Sequence, residues 1–309
     1  MGMLIEGRWT SDDLRRTNGN GEFIRTRSSF REVIGDGNPR FPAEAGRYHL
    51  FVNAGCPWAY RAILYRSLKG LTDSIGITFT QPAAGPEGWT FGEVAEPLLG
   101  AQHLHEIYSR ADPAFTGRVT VPVLWDKAGE TIVNNESADI IRLLDSAFDT
   151  LPGVSRTTFY PTDLAAEIDS LNGIIYTNIN NGVYRCGFAQ SQSAYEAAYD
   201  ALFNTLDDLD RRLSTHRYLC GSRITEADWR LFSTLVRFDI AYYGHFLCNR
   251  NRLVDFRNLW PYTRDLYQYP EVAETVDVNA IKGIYYGSRP PFLLPKGPEI
   301  DFSIPHGRA

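Results

Sequence analysis

Between residues 48 and 79 the spacing of the apolar positions changes twice. Apolar residues first occupy alternate positions, which predicts a strand over 48–52 with one face formed by Tyr48, Leu50 and Val52. The next apolar residues recur at helical spacing and predict a helix; they are Tyr60, Ile63, Leu64, Leu68 and Leu71. Alternation then returns and predicts a second strand through Ile75, Ile77 and Phe79. The pattern therefore predicts a strand–helix–strand unit.

A hairpin and another helix are expected after a long loop. The loop runs from Gln81 to about Arg118, and loops of this length often carry function. The segments 118–126 and 130–133 predict a hairpin, with Pro122 opening its first strand and a cis bond expected before that proline. Ser137 is expected to be the N-cap of a helix whose apolar positions are Ala138, Ile140, Ile141, Leu144 and Phe148.

This order of elements is typical of a thioredoxin-like domain, and the pattern changes to long helices after a linker near 151–161. The helices are predicted at 163–180, 191–214, 226–243 and 255–269, and Thr225 to Asp228 form a capping box. We therefore predict an α/β plus all-α protein with an N-terminal arm (1–46), a thioredoxin-like domain (47–153) and an all-helical domain (161–309). The tail from Lys282 is expected to wrap the surface.

Composition narrows the possible functions. A chain of 309 residues with 43% hydrophobic and 22% charged residues is typical of a globular protein with two sizeable cores. The net charge of −6 argues against nucleic acid and anionic membranes as partners, and no apolar run reaches membrane-spanning length. The first residues lack the blocks of a signal peptide, so a cytoplasmic location is expected. The four cysteines, at 56, 186, 220 and 248, show neither metal-ligand spacing nor a disulfide framework.

Cys56 is the candidate nucleophile, because it lies where the first strand turns into the first helix. Pro57 suits the first helical turn, whose unpaired N–H groups and dipole favour a thiolate. Ala59 stands where a dithiol oxidoreductase carries its second cysteine, so the resolving thiol must come from elsewhere, most simply from a small-molecule thiol. The alternative, that Cys56 is a small buried hydrophobe, stays open at this point.

The motifs along the chain resemble those of the glutathionyl-hydroquinone reductases, the Xi class of the cytosolic glutathione transferases. The resemblance covers nearly the whole chain beyond residue 45. It rests on the segments 56–59 (Cys-Pro-Trp-Ala), 88–91, 118–126, 135–137, 181–184, 187–189, 225–228, 244–246, 281–282 and 285–287. The chain departs from the family's pattern at Arg185-Cys186 and at Gly283-Ile284, and the second pair stands where the family often has two basic residues.

The resemblance implies a glutathione site in the thioredoxin-like domain, with Cys56 as nucleophile. Val121 would pair its backbone with the cysteinyl part of glutathione, and Glu136 and Ser137 would hold the γ-glutamyl group. Trp89 and Arg118 would frame the tripeptide. Without the resemblance, the more common explanation is packing for Trp89, a surface charge for Arg118 and an ordinary first helical turn for Glu136.

In the helical domain the resemblance implies a substrate pocket lined by Tyr184 and Tyr242, together with Tyr285, and it makes Tyr184 and Tyr285 candidates for proton transfer. The implied reaction removes glutathione from a glutathionyl-hydroquinone through a mixed disulfide on Cys56, which a second glutathione resolves. Glutathione is thus a co-substrate, no metal is needed, and a homodimer is implied. Two alternatives stay open: a general thiol transferase or dehydroascorbate reductase of the omega type, and a non-catalytic interaction module with an inert Cys56.

Overall fold

The computed structural model describes residues 2–11, 16–35, 37–287 and 292–308. Their strands are β1 (Met3–Ile5), β2 (Arg8–Thr10), β3 (Arg16–Thr17), β4 (Phe23–Ile24), β5 (Tyr48–Val52), β6 (Gly76–Phe79), β7 (Gly117–Arg118), β8 (Val123–Asp126) and β9 (Thr131–Asn134). Their α-helices are α1 (Pro57–Leu68), α2 (Leu104–Ala111), α3 (Ser137–Ser146), α4 (Ala165–Ile175), α5 (Gly182–Gly187), α6 (Gln192–Arg212), α7 (Glu226–Leu235), α8 (Tyr243–His245), α9 (Leu259–Tyr267) and α10 (Val278–Tyr286).

The main sheet has the strand order β6-β5-β8-β9. β5 and β6 are parallel, whereas β8 is antiparallel to both β5 and β9. The carboxyl ends of β5, β6 and β9 and the amino end of β8 therefore lie at one edge of the sheet. This is the predicted thioredoxin-like arrangement, and the strands at 48–52 and near 75–79 and the hairpin are confirmed.

Helices α1 and α3 pack against each other beside this sheet. In α1 the residues Ala59, Tyr60 and Leu64 have no exposed surface, and Ile140 and Leu144 of α3 are equally buried. Each large apolar side chain in this core contributes roughly 1.5–3 kcal/mol by leaving water. The core fixes where the first turn of each helix lies, and so fixes the position of Cys56.

Three details of this region differ from the sequence predictions. The predicted loop 81–118 contains α2, whose apolar residues Leu104, Ile107 and Tyr108 are buried against the domain. The N-cap of α3 is Glu136 and not Ser137, because the Glu136 carboxylate accepts the N–H of Ala138 at 3.1 Å. The predicted irregular arm contains β1 to β4, and β1 pairs with β2 and β7. The arm residues 12–15 lie outside the described part.

The internal contacts of the chain define two compact units. The first comprises the described parts of 1–14, 26–157 and 274–294, and the second those of 15–25, 158–273 and 295–309. Residues 274–287 thus belong to the same compact unit as the thioredoxin-like residues, whereas the predicted helical domain (161–309) includes them. The predicted domain boundaries stay predictions. The predicted surface tail from Lys282 begins within the helix α10, whose last residues it includes, and residues 288–291 of that tail lie outside the described part.

The second unit is helical, as predicted. α5 packs on α6, and α7 packs on α4 and α9. The predicted capping box is confirmed: the N–H of Thr225 donates to Asp228 Oδ2 at 2.8 Å, and Tyr262 donates to the same carboxylate at 2.8 Å. Two of the predicted long helices are interrupted, since α4 continues into a π-helical segment (Tyr176–Asn180) and another (Phe238–Tyr242) follows α7. Within the described residues, no helix is both long and apolar enough to cross a membrane.

Candidate active site

The candidate active site lies at the sheet edge where β5, β6 and β9 end and β8 begins. Cys56 follows β5, Val121 and Pro122 precede β8, and Glu136 and Ser137 follow β9. Because Phe51 pairs with Val123 in antiparallel register, Val121 extends toward the turn that carries Cys56. The fold thus brings to one edge four of the predicted site residues that are separated by up to 81 positions in the chain.

Cys56 is the N-cap of α1, and Pro57 is the first residue of that helix. Cys56 is buried but retains 6% of its exposure. A thiol at this position lies at the N-terminus of a helix, where the helix dipole stabilises a negative charge. Burial raises the pKa of Cys220 and of Cys248, which makes those two thiols poor nucleophiles near neutral pH.

Asn53 holds the Cys56 turn in place, and the sequence did not single it out. Its Oδ1 accepts the N–H groups of Gly55 at 2.9 Å and of Cys56 at 3.1 Å. Its Nδ2 donates to Thr80 Oγ1 at 3.0 Å and to the carbonyl of Gln81 at 2.8 Å. The side chain has no exposed surface, so it ties the turn after β5 to the residues after β6 without help from water.

Helix α10 packs directly on the Cys56 turn. Gly55 has no room for a side chain, because a Cβ there would overlap the carbonyl of Ala280. A Cβ at Gly283 would lie 2.5 Å from the Cβ of Pro82, so this departure from the family pattern lets α10 approach the residues after β6. Tyr285 lies on α10 in the same compact unit as Cys56 and is 7% exposed.

The segment at Val121 has the properties of a peptide-binding edge. The Val121–Pro122 bond is cis, as expected. Among the described residues, no hydrogen bond involves the backbone N–H or C=O of Val121. Thr120, which precedes Val121, is held by Tyr108 of α2. The Tyr108 hydroxyl donates to the carbonyl of Thr120 at 2.8 Å and accepts from Asn135 Nδ2 at 3.0 Å. Tyr108 therefore joins the two segments that carry Val121 and Glu136, a role that the sequence did not indicate.

Glu136 and Ser137 lie at the amino end of α3. Glu136 Oε2 accepts the hydroxyl of Ser28 at 2.9 Å, while Oε1 caps the helix. Arg61 of α1 is 2% exposed, donates to Ser137 Oγ at 3.3 Å and lies over the ring of Trp58 at 4.7 Å. A buried guanidinium next to a helix N-terminus makes this corner favourable for an anionic group.

The remaining predicted contacts of the first unit lie on segments flanking α2. Trp89 is 5% exposed, and its carbonyl accepts the N–H of Leu104 at 2.9 Å. Arg118 is the last residue of β7, where it pairs with Met3 of β1. The fold therefore fixes the backbone at both positions.

Tyr184 and Tyr242 lie together in the second unit, with ring centroids 6.1 Å apart, and Phe246 contacts both rings. Tyr242 has no exposed surface, whereas Tyr184 is half-buried. The guanidinium of Arg25 lies 4.8 Å from the centre of the Tyr184 ring, and its Nε donates to Asn181 at 2.8 Å. Arg25 of the N-terminal arm is thus a further residue beside Tyr184.

Comparisons with known proteins show which family the chain belongs to. The family profile described as "Glutathione S-transferase, N-terminal domain" matches residues 55–147, and "Glutathione S-transferase, C-terminal domain" matches residues 192–265. Glutathionyl-hydroquinone reductase YqjG of Escherichia coli (strain K12) is 44% identical, with 100% of this chain and 98% of that protein covered. Glutathionyl-hydroquinone reductase PcpF of Sphingobium chlorophenolicum is 44% identical, with 96% of each covered.

Solved structures extend the similarity to the fold. The glutathione-bound structure of YqjG has a TM-score of 0.90 and 43% identity, and 99% of each chain is covered. The Xi-class transferase of Natrialba magadii has a TM-score of 0.91 and 42% identity, with 99% of this chain and 96% of that chain covered. The chain therefore belongs to the Xi class of glutathione transferases, the family of the glutathionyl-hydroquinone reductases.

Proposed function

We propose that the protein reduces glutathionyl-hydroquinones to hydroquinones at the expense of glutathione. The Cys56 thiolate attacks the thioether sulfur, the bond between sulfur and the ring carbon breaks, and its electron pair returns to the ring with a proton. The hydroquinone leaves, and Cys56 remains as a mixed disulfide with glutathione. A second glutathione thiolate attacks that disulfide, releases oxidised glutathione and restores the Cys56 thiolate. The cycle uses no metal.

The observation that carries this proposal is the setting of Cys56. The thiol is the N-cap of α1 at the sheet edge, and the position one helical turn on is Ala59, which has no exposed surface. A dithiol mechanism across this turn is therefore impossible, and an external thiol must resolve the intermediate. A cysteine nucleophile of this kind is expected to have a pKa below the value of about 8.5 of a free thiol.

Glutathione binds at the same edge of the sheet. The backbone of Val121 pairs with the cysteinyl part of glutathione, so that the tripeptide extends the sheet as an extra strand. Glu136 and Ser137 bind the ammonium and carboxylate of the γ-glutamyl group. Trp89 and Arg118 frame the tripeptide. These assignments are supported by the hydrogen-bonding capacity left at Val121 and by the buried Arg61 beside Ser137.

The tyrosines supply the proton step. Attack on an aryl thioether expels a ring carbon, which must be protonated, whereas attack on a disulfide expels a thiolate that needs little help. Tyr184 and Tyr285 assist the protonation, and Tyr242 lines the pocket for the ring. This need for a proton donor distinguishes the proposed reaction from the general thiol transfer of the omega-type alternative.

The proposed function is tested by comparing two substrates on one preparation. The double variant Tyr184→Phe, Tyr285→Phe should lower turnover of a glutathionyl-hydroquinone by roughly 100-fold, the usual size of general acid catalysis, and change turnover of a small mixed disulfide much less. Tyr267→Phe, whose ring stacks on Phe302, is the matched control and should change neither. Equal losses on both substrates would contradict the assigned proton transfer, and activity on the disulfide alone would favour the thiol transferase.

A homodimer and a cytoplasmic location are also part of the proposal. Light scattering of the purified protein should give twice the mass of 34.9 kDa expected for one chain. A monomer mass at micromolar concentration would contradict the dimer and leave the proposed chemistry untouched.

A further inference from the structure

Glu87, His103 and His105 form a cluster on the first unit that the proposed reaction does not use. Their ligand atoms all lie within 4.8 Å of one another. We propose that these three residues bind a divalent transition-metal ion of the zinc type. The proposal is independent of the reaction at Cys56.

The backbone holds the three residues in this arrangement. Glu87 lies in a tight turn closed by reciprocal hydrogen bonds between Gly85 and Gly88, of 2.9 and 3.0 Å. The chain leaving this turn runs beside the chain entering α2, where the N–H of Leu104 donates to the carbonyl of Trp89 at 2.9 Å. The carboxylate and both imidazoles therefore belong to two neighbouring segments that are cross-linked by main-chain bonds.

The imidazole rings are oriented by stacking. The rings of His103 and His105 lie nearly parallel, at an interplanar angle of 6° and a centroid distance of 5.3 Å. Trp9 also stacks on His105, at a centroid distance of 4.8 Å, and Trp9 packs so closely on Gly88 that a Cβ there would lie 2.7 Å from its ring. Glu87 thus lies beside two nearly parallel imidazole rings.

The donor atoms converge on Glu87. His105 Nε2 lies 3.1 Å and His103 Nδ1 lies 3.9 Å from Glu87 Oε2. In a tetrahedral zinc site with bonds of about 2.0–2.1 Å, neighbouring donors are about 3.3 Å apart. The exposed Glu87 side chain can adjust its own distances to both imidazoles, but the two imidazole nitrogens, which lie within 4.8 Å of each other, must approach by up to about 1.5 Å for one ion to bind all three donors.

The chemistry of the donor set favours zinc or a similar ion. Two imidazoles and one carboxylate are a common three-residue zinc set, which leaves a fourth position for water. Glu106 adds a second negative charge, since its Oε1 lies 3.3 Å from His103 Nδ1 and accepts the His103 N–H at 2.9 Å. In the absence of a metal the same groups form ordinary hydrogen bonds between His and Glu, so a binding measurement separates the two descriptions.

The test is a calorimetric titration of Zn²⁺ into the full-length chain, without an affinity tag or glutathione, in the Cys56→Ser background. This background removes the reactive thiol as a competing ligand. One Zn²⁺ should bind per chain, and His105→Gln and Glu87→Gln should each weaken the affinity by at least the 10- to 100-fold that is typical even of outer-shell changes. Co²⁺ should give the visible absorption of a tetrahedral site.

Two matched variants serve as controls. Glu93→Gln changes an exposed carboxylate on the same loop, and His216→Gln changes an exposed histidine of the second unit, so both should bind Zn²⁺ like the parent. If His105→Gln fails to fold, the exposed Glu87→Gln decides the question. Absence of saturable binding in the parent, or equal affinity in the parent and Glu87→Gln, would overturn the proposal.

Discussion

Replacing Asn53 with Ala should both destabilise the protein and impair Cys56. The side chain makes four hydrogen bonds of 2.8–3.1 Å, two from the N–H groups of Gly55 and Cys56 and two to Thr80 and Gln81. Alanine removes all four and leaves a cavity in a place that has no exposed surface. The turn after β5 then loses its attachment to the residues after β6.

The expected loss in free energy of unfolding follows from these four hydrogen bonds. A net contribution of about 1 kcal/mol for each bond gives about 4 kcal/mol, and buried N–H groups left without a partner cost about 1–3 kcal/mol each if they stay unpaired. Partial relaxation of the turn offsets some of this loss, because the N–H of Cys56 also donates to the Asn53 carbonyl at 3.2 Å. We therefore expect the free energy of unfolding to fall by roughly 3–5 kcal/mol.

Urea denaturation measures the stability, and absorbance of the thiolate at 240 nm against pH measures the pKa of Cys56. The Cys56 pKa should rise toward the free value of about 8.5, and each unit of rise above the assay pH lowers the thiolate fraction about tenfold. Asn53→Asp keeps the acceptor for the two N–H groups and loses the donor side, so it separates the two halves of the interaction. Asn38→Ala is the matched control, because Asn38 also closes a turn with its side chain but is partly exposed.

The control should lose less than about 1 kcal/mol. The reasoning would be refuted if Asn53→Ala kept the urea midpoint, the thiol titration and the turnover of the parent. A stability loss without any change in the thiol titration would make Asn53 a structural residue only.

Two further predictions concern other residues of the first unit. Ala59→Cys creates a dithiol across the first turn of α1, so an internal disulfide should compete with the second glutathione and lower the kinetic order in glutathione; an unchanged order would contradict the proposed resolving step. Burial lowers the pKa of His49 to about 4, so between pH 6.5 and about 4 the unfolded chain binds a proton that the folded chain does not, and stability falls as the pH is lowered. The full pKa shift corresponds to a loss of roughly 3 kcal/mol in the free energy of unfolding, and partial exposure of His49 reduces the expected loss to about 1–2 kcal/mol. His49→Gln should therefore remove this pH dependence from urea midpoints measured over the same range.

The parts of the fold that follow local patterns were predictable from the sequence. The alternation at Tyr48 to Val52 and the helical spacing after Pro57 place Cys56 at the start of a helix, and Thr225 with Asp228 marks the start of α7. These signals are local, because they depend on neighbouring residues within one or two turns. They predicted the order of elements and placed Cys56 at a helix start.

Two helices were missed although each has a signal. α2 is short, but it carries apolar residues at 104, 107 and 108 and an acidic residue, Glu106, in its first turn. α10 begins after Asp277, which caps it by accepting the N–H of Ala280 at 2.8 Å. The glycine at 283, which weakens a helix intrinsically, obscured the pattern, and the packing of that glycine on Pro82 compensates for the weakness.

The roles of Asn53, Tyr108 and Arg61 could not be predicted because they depend on tertiary neighbours. Asn53 bonds residues after β6 only because β5 and β6 are parallel neighbours. Tyr108 joins Thr120 to Asn135 only because α2 packs beside β9. The Glu87, His103 and His105 cluster likewise exists only after the two segments around Trp89 and Leu104 pair.

The central claim is that Cys56 carries glutathione during turnover, and mass spectrometry tests it most directly. Protein mixed with a glutathionyl-hydroquinone and little free glutathione should gain one glutathione on the peptide that contains Cys56, and free glutathione should remove it. Cys56→Ser should fold normally, release no hydroquinone and gain no glutathione on that peptide. An adduct confined to Cys186, Cys220 or Cys248, or release of hydroquinone by Cys56→Ser at the parental rate, would contradict the account.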